Sequence, residues 1–179
     1  MNSVNGLLII GLMMFINEPE FLIDFNQSTD LTSWFIVDDV VMGGRSDGNF
    51  RINENGSGVF YGFVSTENYG GFSSVRYSFE ERTLKEHTHC LIRLKGDGKA
   101  YQFRVKDSAR KRYSYISSFE TKEEWETIRI ELKSMYPSFR GMRLDEPNYT
   151  AESLAEIAIL IGNKRNESFR LEIDWIKFQ

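Results

Sequence analysis

The sequence predicts an all-β fold of the antiparallel β-sandwich or jelly-roll class. From about Phe21 onward, apolar and polar residues alternate in short runs, and a period of two is typical of strands that bury one face. Glycines, asparagines, aspartates and the three prolines fall between the runs, where turns are expected. The pattern predicts about ten short strands and one weak helical turn at Ala151–Ala155, and so many short strands are typical of a two-layer β fold.

Three segments show the alternation most clearly, and they predict which side chains face the core. The predicted core-facing residues are Phe169, Leu171, Ile173 and Trp175, then Ile128, Ile130 and Leu132, then Tyr101, Phe103 and Val105. Further strands are predicted at Phe21–Phe25, Trp34–Val41, Gly58–Ser65, Phe72–Phe79, Leu91–Leu94, Tyr113–Phe119 and Glu156–Ile161.

The segment Lys95–Lys99 predicts a β-hairpin. It separates the apolar runs Leu91–Leu94 and Tyr101–Val105, and its Asp97-Gly98 pair can adopt the positive φ angles that a tight turn requires. We therefore expect these two runs to pair with each other in one sheet.

Composition and charge exclude several classes of function. The chain of 179 residues is 41% hydrophobic and 27% charged, as in ordinary folded domains. A net charge of -4 provides no general attraction for nucleic acid, so no nucleic-acid partner is predicted. Cys90 is the single cysteine, which excludes an internal disulfide and a zinc site with several cysteines.

The N-terminal segment differs in composition from the rest of the chain. Leu7–Ile16 is an uninterrupted apolar run of signal-peptide length, too short to span a bilayer, without the arginine-rich character of a mitochondrial presequence. We therefore divide the chain into an apolar extension or leader at 1–20 and one β-sandwich domain at 21–179. No integral membrane span is predicted, and the location is cytoplasmic or exported according to whether the segment is a cleaved leader.

Two Gly-Gly segments interrupt the strand pattern and are the candidate binding site. Each pair permits a close backbone approach, and each is flanked by carboxylates, hydroxyl groups and an arginine. Their polar groups either converge on a ligand or bond the local backbone at bulges and corners. The candidate binding residues are Asp38, Asp39, Gly43, Gly44, Arg45, Ser46, Glu67, Asn68, Gly70, Gly71 and Arg76.

At these segments the chain resembles the complex I intermediate-associated protein 30 family. The motifs are DDVVMGGRSDGNF, FVSTENYGGFSSVR, LKGDGKAYQFRV, WETIRIEL, PSFRG and FRLEIDWIKF, in consistent order from about Phe21 to Gln179. Tyr69 departs from the pattern, since the family more often has a small polar residue at this position. The resemblance implies a galactose-binding-domain-like β-sandwich similar to some carbohydrate-binding modules. It also implies a non-catalytic binding domain with a protein partner, because mitochondrial members assist the assembly of respiratory complex I.

Carbohydrate binding is the alternative function, with a separate set of candidate residues. Aromatic faces stack on sugar rings and arginines bind hydroxyl groups. The candidate sugar-binding residues are Arg93, Tyr101, Arg104, Tyr113 and Tyr115.

Other patterns carry less weight, and we predict no metal, cofactor or catalytic residue. The candidate metal ligands are His87, His89 and Cys90 for zinc, and Asp24, Asp38, Asp39 and Asp174 for calcium. The basic cluster of Arg104, Lys106, Arg110, Lys111 and Arg112 is typical of a solvated hairpin tip. An enzyme with paired carboxylates ranks third among the functions, since no pair stands out among the 26 acidic residues.

Overall fold

The computed structural model describes residues 20–84 and 86–179, which form thirteen strands and three short 3-10 helices. The strands are β1 (Glu20–Asp24), β2 (Trp34–Asp38), β3 (Asp47–Ile52), β4 (Gly58–Val64), β5 (Ser73–Thr83), β6 (His89–Lys95), β7 (Ala100–Lys106), β8 (Ser114–Glu120), β9 (Trp125–Glu131), β10 (Tyr136–Phe139), β11 (Met142–Arg143), β12 (Ser153–Ile161) and β13 (Glu167–Phe178). The 3-10 helices span Asp39–Met42, Glu67–Tyr69 and Leu132–Ser134.

The strands form two antiparallel sheets, as the sequence predicts. A seven-stranded sheet has the order β11-β10-β8-β7-β12-β5-β2. A six-stranded sheet has the order β3-β4-β13-β6-β9, and β1 pairs with β13 beyond the end of β4. Strand β13 is therefore central, with β6 along one edge and β4 followed by β1 along the other.

The core lies between the inner faces of the two sheets. Phe103, Ile157 and Ile159 face it from the seven-stranded sheet, and Ile92 and Leu171 face it from the six-stranded sheet. Each of these side chains is at most 2% exposed. The predicted alternation is confirmed in β7, where Tyr101, Phe103 and Val105 are all buried; at about 25 cal/mol per Å² of buried apolar surface, such side chains provide the main stabilisation of the fold.

Trp175 does not face the core, which corrects the predicted alternation in β13. The register of β13 shifts between Ile173 and Trp175, and Ile176 and Phe178 are the buried residues beyond the shift. A β-bulge adds one residue to a strand and reverses the faces that follow it. Trp175 consequently lies on the outer face, with the Lys177 ammonium 4.2 Å from its ring centre.

The predicted hairpin at Lys95–Lys99 is wrong. Strand β6 belongs to the six-stranded sheet and β7 to the seven-stranded sheet, so the turn carries the chain from one layer to the other. Asp97 fixes this crossing: its Oδ2 accepts hydrogen bonds from the Arg170 amide at 2.9 Å and from Lys99 Nζ at 2.8 Å. Its Oδ1 accepts a bond from the Tyr101 hydroxyl at 3.1 Å.

Other differences from the predicted elements are local. The expected helical turn at Ala151–Ala155 is a bend followed by β12, which begins at Ser153 and pairs with both β5 and β7. Pairing on both edges outweighs the weak helical preference of this segment. Strands β3, β10 and β11 are not among the predicted strands.

Residues 1–19 and Lys85 lie outside the described part of the chain, so the predicted N-terminal extension or leader is described only at Glu20. Among residues 20–84 and 86–179, no helix has the length and apolar character needed to cross a membrane.

Candidate functional site

The two Gly-Gly segments meet at the buried side chain of Asp39. The first Gly-Gly loop (39–46) follows β2, and the second (65–72) follows β4. Asp39 Oδ1 accepts a hydrogen bond from the Ser46 amide at 3.1 Å. Its Oδ2 accepts bonds from the Ser46 hydroxyl at 2.6 Å and from the Gly71 and Phe72 amides at 2.5 and 3.2 Å. We call Asp39, Ser46, Gly71 and Phe72 the Asp39 cluster.

A glycine from each loop makes room for this carboxylate. A Cβ atom at Gly44 would lie 2.2 Å from Asp39 Oδ1, and one at Gly70 would lie 2.5 Å from Oδ2. Both distances are far inside van der Waals contact, so any side chain at either position would displace Asp39. This close approach is the physical reason for one glycine in each pair.

Further polar contacts join the two loops around the Asp39 cluster. The Ser46 hydroxyl accepts a bond from the Ser65 amide at 3.0 Å, and Asn68 Nδ2 donates to the Gly43 carbonyl at 3.0 Å. At the surface, Arg45 Nη1 lies 2.9 Å from Glu67 Oε2. Both charged side chains are more than half exposed, so this ion pair adds little stability.

The surroundings of Asp39 favour its charged form. Burial raises the pKa of the carboxyl group, but hydrogen bonds from Ser46, Gly71 and Phe72 outweigh burial and lower the pKa overall. The polar groups of the Asp39 cluster therefore find their hydrogen-bond partners within the cluster. This agrees with the interpretation that the polar residues of the Gly-Gly segments bond nearby backbone. The bonds, however, run between the two loops as well as within the first loop.

Asp38 directly precedes the first loop and Arg76 follows the second loop, but each has partners outside the Asp39 cluster. Asp38 Oδ2 accepts a bond from the Gly48 amide at 3.0 Å and so connects β2 with β3. Arg76 lies on β5, where its Nε donates to the Ser74 hydroxyl at 3.3 Å. Of the predicted binding residues, the structure brings together those at 39–46 and 67–71, and places these two outside the Asp39 cluster.

The joined Gly-Gly loops expose two large apolar side chains. Tyr69 is 99% exposed and Val40 is 60% exposed. Asn68 and Tyr69 have φ angles of 55° and 63°, in the left-handed region, which asparagine tolerates but which costs a residue such as tyrosine about 1 to 2 kcal/mol. The sequence pattern does not predict the exposure of Val40, and it marks Tyr69 only as a departure from the family pattern.

A second polar surface covers the outer face of the seven-stranded sheet. Arg76 on β5, Ala158 on β12 and Arg104 on β7 are register partners in one row across three strands. Ser78, Glu156 and Lys106 form the adjacent row. We call these six residues the outer-face cluster.

The candidate sugar-binding residues do not share a surface. Tyr101 and Tyr115 are core residues, 1% and 4% exposed, and burial raises the pKa of the Tyr101 hydroxyl above its ordinary value. Arg93 lies on β6 of the six-stranded sheet, whereas Arg104 lies on β7 of the other sheet. Tyr113 packs edge-on against Tyr115 at 5.5 Å. The predicted aromatic platform is therefore not assembled.

The histidine and cysteine side chains are also dispersed. Cys90 is buried in the core and burial raises the pKa of its thiol, while His89 Nδ1 lies 2.7 Å from the Thr88 hydroxyl. His87 packs edge-on against Phe178 at 6.2 Å. Within residues 20–84 and 86–179, no group of three or more His, Cys, Asp or Glu side chains is placed to hold a metal ion.

The basic cluster is divided between two environments. Arg104 and Lys106 lie on β7, whereas Arg110, Lys111 and Arg112 lie in the loop between β7 and β8. Lys111 Nζ is 2.5 Å from Asp107 Oδ2 and 2.8 Å from the Tyr115 hydroxyl, so its charge is neutralised within the loop.

The chain is similar in sequence to a mouse protein. The curated mouse protein "Complex I intermediate-associated protein 30, mitochondrial" is 22% identical over 175 residues, which cover 85% of this chain and 53% of the mouse protein. The chain thus spans about half the length of this relative.

Solved structures of a carbohydrate-binding module and of an agarase share the fold at low sequence identity. The family 11 module from Clostridium thermocellum, solved with a β-1,3-1,4-mixed-linked tetrasaccharide, has a TM-score of 0.66 at 15% identity over 89% of this chain and 94% of the module. The agarase AgWH50C has a TM-score of 0.60 at 12% identity over 90% of this chain and 24% of the agarase.

The sequence model that describes complex I intermediate-associated protein 30 matches residues 23–173, which include both Gly-Gly loops, the outer-face cluster and most of both sheets. The chain therefore belongs to the complex I intermediate-associated protein 30 family, and its β-sandwich has the fold of the family 11 carbohydrate-binding module.

Proposed function

We propose that the chain is a non-catalytic protein-binding domain that acts as an assembly or scaffolding factor, with the joined Gly-Gly loops as its contact surface. The observation that carries the proposal is the full exposure of Tyr69 on a loop that the buried Asp39 cluster holds in place. Tyrosine is enriched among the residues that dominate protein interfaces.

The internal bonding of the loops supports this function. A loop whose backbone is fixed before binding loses less conformational entropy when it meets a partner. The Asp39 carboxylate fixes the second loop through two amides, next to Tyr69. Arg45 and Glu67 form an exposed ion pair on the same joined loops, and one charge of each sign favours a particular orientation of a polar partner.

Family membership supports the proposed role as an assembly factor. The mouse relative is named for its association with complex I intermediates, and we extend a role of that kind, the assembly of a multi-subunit complex, to this chain. The carbohydrate alternative rests on fold likeness alone, because the predicted sugar-binding residues lie on different faces. Fold likeness does not fix a ligand.

Affinity purification of the tagged chain from its native cells tests the proposal. Three forms are compared by quantitative mass spectrometry: wild type, Tyr69→Asn and Met142→Ser. Asparagine tolerates the positive φ at residue 69, so the first variant removes the exposed ring without new backbone strain. Met142 is 64% exposed on β11 and serves as the matched control.

We expect wild type and Met142→Ser to recover the same protein partners, and Tyr69→Asn to lose them by about tenfold or more, as for a hot-spot residue. Full recovery of every partner by folded Tyr69→Asn would show that these loops are not the interface. If wild type recovers no partner above an untagged control, the protein-binding function itself is wrong. Comigration with respiratory complex I intermediates on native gels tests the role as an assembly factor.

A further inference from the structure

The outer-face cluster carries more positive than negative charge. Strand β12 lies between β5 and β7, so its outward residues Glu156 and Ala158 are flanked on both sides. Arg76, Arg104 and Lys106 are the basic members of the six, and Glu156 is the single acidic one.

One carboxylate serves two of these cations. Glu156 Oε1 lies 3.5 Å from Arg76 Nη1 and 3.4 Å from Lys106 Nζ, while Oε2 accepts a bond from the Ser78 hydroxyl at 3.1 Å. The three charged side chains are only 12–22% exposed, so water screens them weakly. Glu156 is thus fully engaged and has no spare charge for the third cation.

Arg104 is that third cation, and it has only a neutral partner. Its Nε and Nη2 both donate to Gln102 Oε1, at 3.2 and 2.7 Å. No carboxylate in residues 20–84 or 86–179 forms an ion pair with it. A shielded guanidinium without a counter-charge is costly, since burial penalises the charged form.

The electrostatics of Arg104 agree with this geometry. Burial of the guanidinium, followed by repulsion from Arg76, lowers the pKa of Arg104 to about 10. Arg104 still carries its charge at neutral pH, and an anion beside it would relieve both effects.

We infer that the outer-face cluster binds an oxyanion, the carboxylate or phosphate group of a ligand, with Arg104 as the principal contact and Arg76 as the second. In β-sheets, residues two strands apart in one row lie about 10 Å apart, a separation that two arginine side chains can close around one small group. The planar guanidinium fork matches carboxylate and phosphate oxygens. This surface is separate from the joined Gly-Gly loops, so the inference does not depend on the proposed protein interface.

Titration of the folded chain with inorganic phosphate or acetate, at constant ionic strength held with sodium chloride, tests the inference. Binding is followed by NMR shifts of the β7 and β12 amides in wild type, Arg104→Gln and Arg93→Gln. Arg93 lies on the six-stranded sheet, where its guanidinium is 5.8 Å from the Trp125 ring centre, so its variant removes one surface arginine elsewhere.

We expect saturable shifts in wild type and Arg93→Gln, and an affinity at least about tenfold weaker in Arg104→Gln, because one charge-assisted contact is lost. Arg104→Lys, which keeps the charge without the fork, should fall between them. Saturation by phosphate alone or by acetate alone identifies which oxyanion the site takes. Equal affinities in the two glutamine variants, or no saturation by either anion in wild type, would overturn the inference.

Discussion

The Gly71 amide donates a 2.5 Å hydrogen bond to Asp39 Oδ2, and this bond joins the two loops through residues that are 32 positions apart in the chain. Through it, one buried carboxylate organises both Gly-Gly segments.

Replacement of Asp39 by asparagine should destabilise the fold. The asparagine side chain would present one acceptor oxygen and an NH2 group where two carboxylate oxygens now accept bonds, so at least one buried amide loses its partner. We expect a loss of about 2 to 4 kcal/mol in the free energy of unfolding, measured by urea denaturation. The exposed Asp47→Asn serves as the control. Equal losses in the two variants would contradict the structural role of Asp39.

Acid should weaken the contribution of Asp39. The pKa of Asp39 is lowered in the folded state, so its stabilisation is fully present above the unfolded pKa, about 3.9, and is lost as the pH falls through the folded pKa. The stability difference between wild type and Asp39→Asn should therefore narrow below about pH 4. Denaturation of both forms across this range measures the difference. A gap that stays constant there would show that the carboxylate is not preferentially charged in the fold.

The close approach of Gly44 to Asp39 predicts a large effect of a single methyl group. Gly44→Ala should cost about 2 kcal/mol or more, because its Cβ would overlap the carboxylate. Gly98→Ala is the control: Gly98 has a φ of 77° but open space around the added methyl, so only backbone strain of about 1 kcal/mol is expected. In a protein that already carries Asp39→Ala, the loss of stability caused by Gly44→Ala should be smaller than in wild type. Strictly additive losses for the two substitutions would contradict the overlap.

Asp97 should matter more than an ordinary turn aspartate. Asp97→Ala removes the acceptor of the Arg170 amide and the Tyr101 hydroxyl, and with it the tie between the crossing segment and β13. We expect a loss of about 2 kcal/mol in the free energy of unfolding. The exposed Asp145→Ala should change stability by less than about 0.5 kcal/mol. Similar small losses in both would mean that the crossing does not need Asp97.

Alternation along single strands was predictable, because it depends on neighbours two residues apart. Phe103 and Leu171 are core residues as expected. The layer to which a strand belongs was not predictable from its turn. Asp97-Gly98 suits a tight hairpin, yet here Asp97 bonds a residue 73 positions away and the chain changes sheets.

The candidate site was predictable only where its signal lies in residues that are close in sequence. Paired glycines flanked by polar residues marked both loops, but nothing in the local pattern shows that Asp39 reaches the amides of Gly71 and Phe72. The outer-face cluster depends on the register of three strands. Arg76, Arg104 and Glu156 are neighbours only because β12 lies between β5 and β7, and the sequence pattern does not show this order of strands.

The position of β13 has a consequence for how the chain is made. Both long edges of β13 are paired, with β4 on one side and β6 on the other. Strand β4 ends at Val64, whereas β13 begins at Glu167, so residues 65–166 must leave the ribosome before the two can meet. Until then β4 and β6 expose unpaired edges and apolar faces, which favours capture by chaperones or aggregation over early folding. The nascent domain is therefore most vulnerable just before the ribosome completes β13.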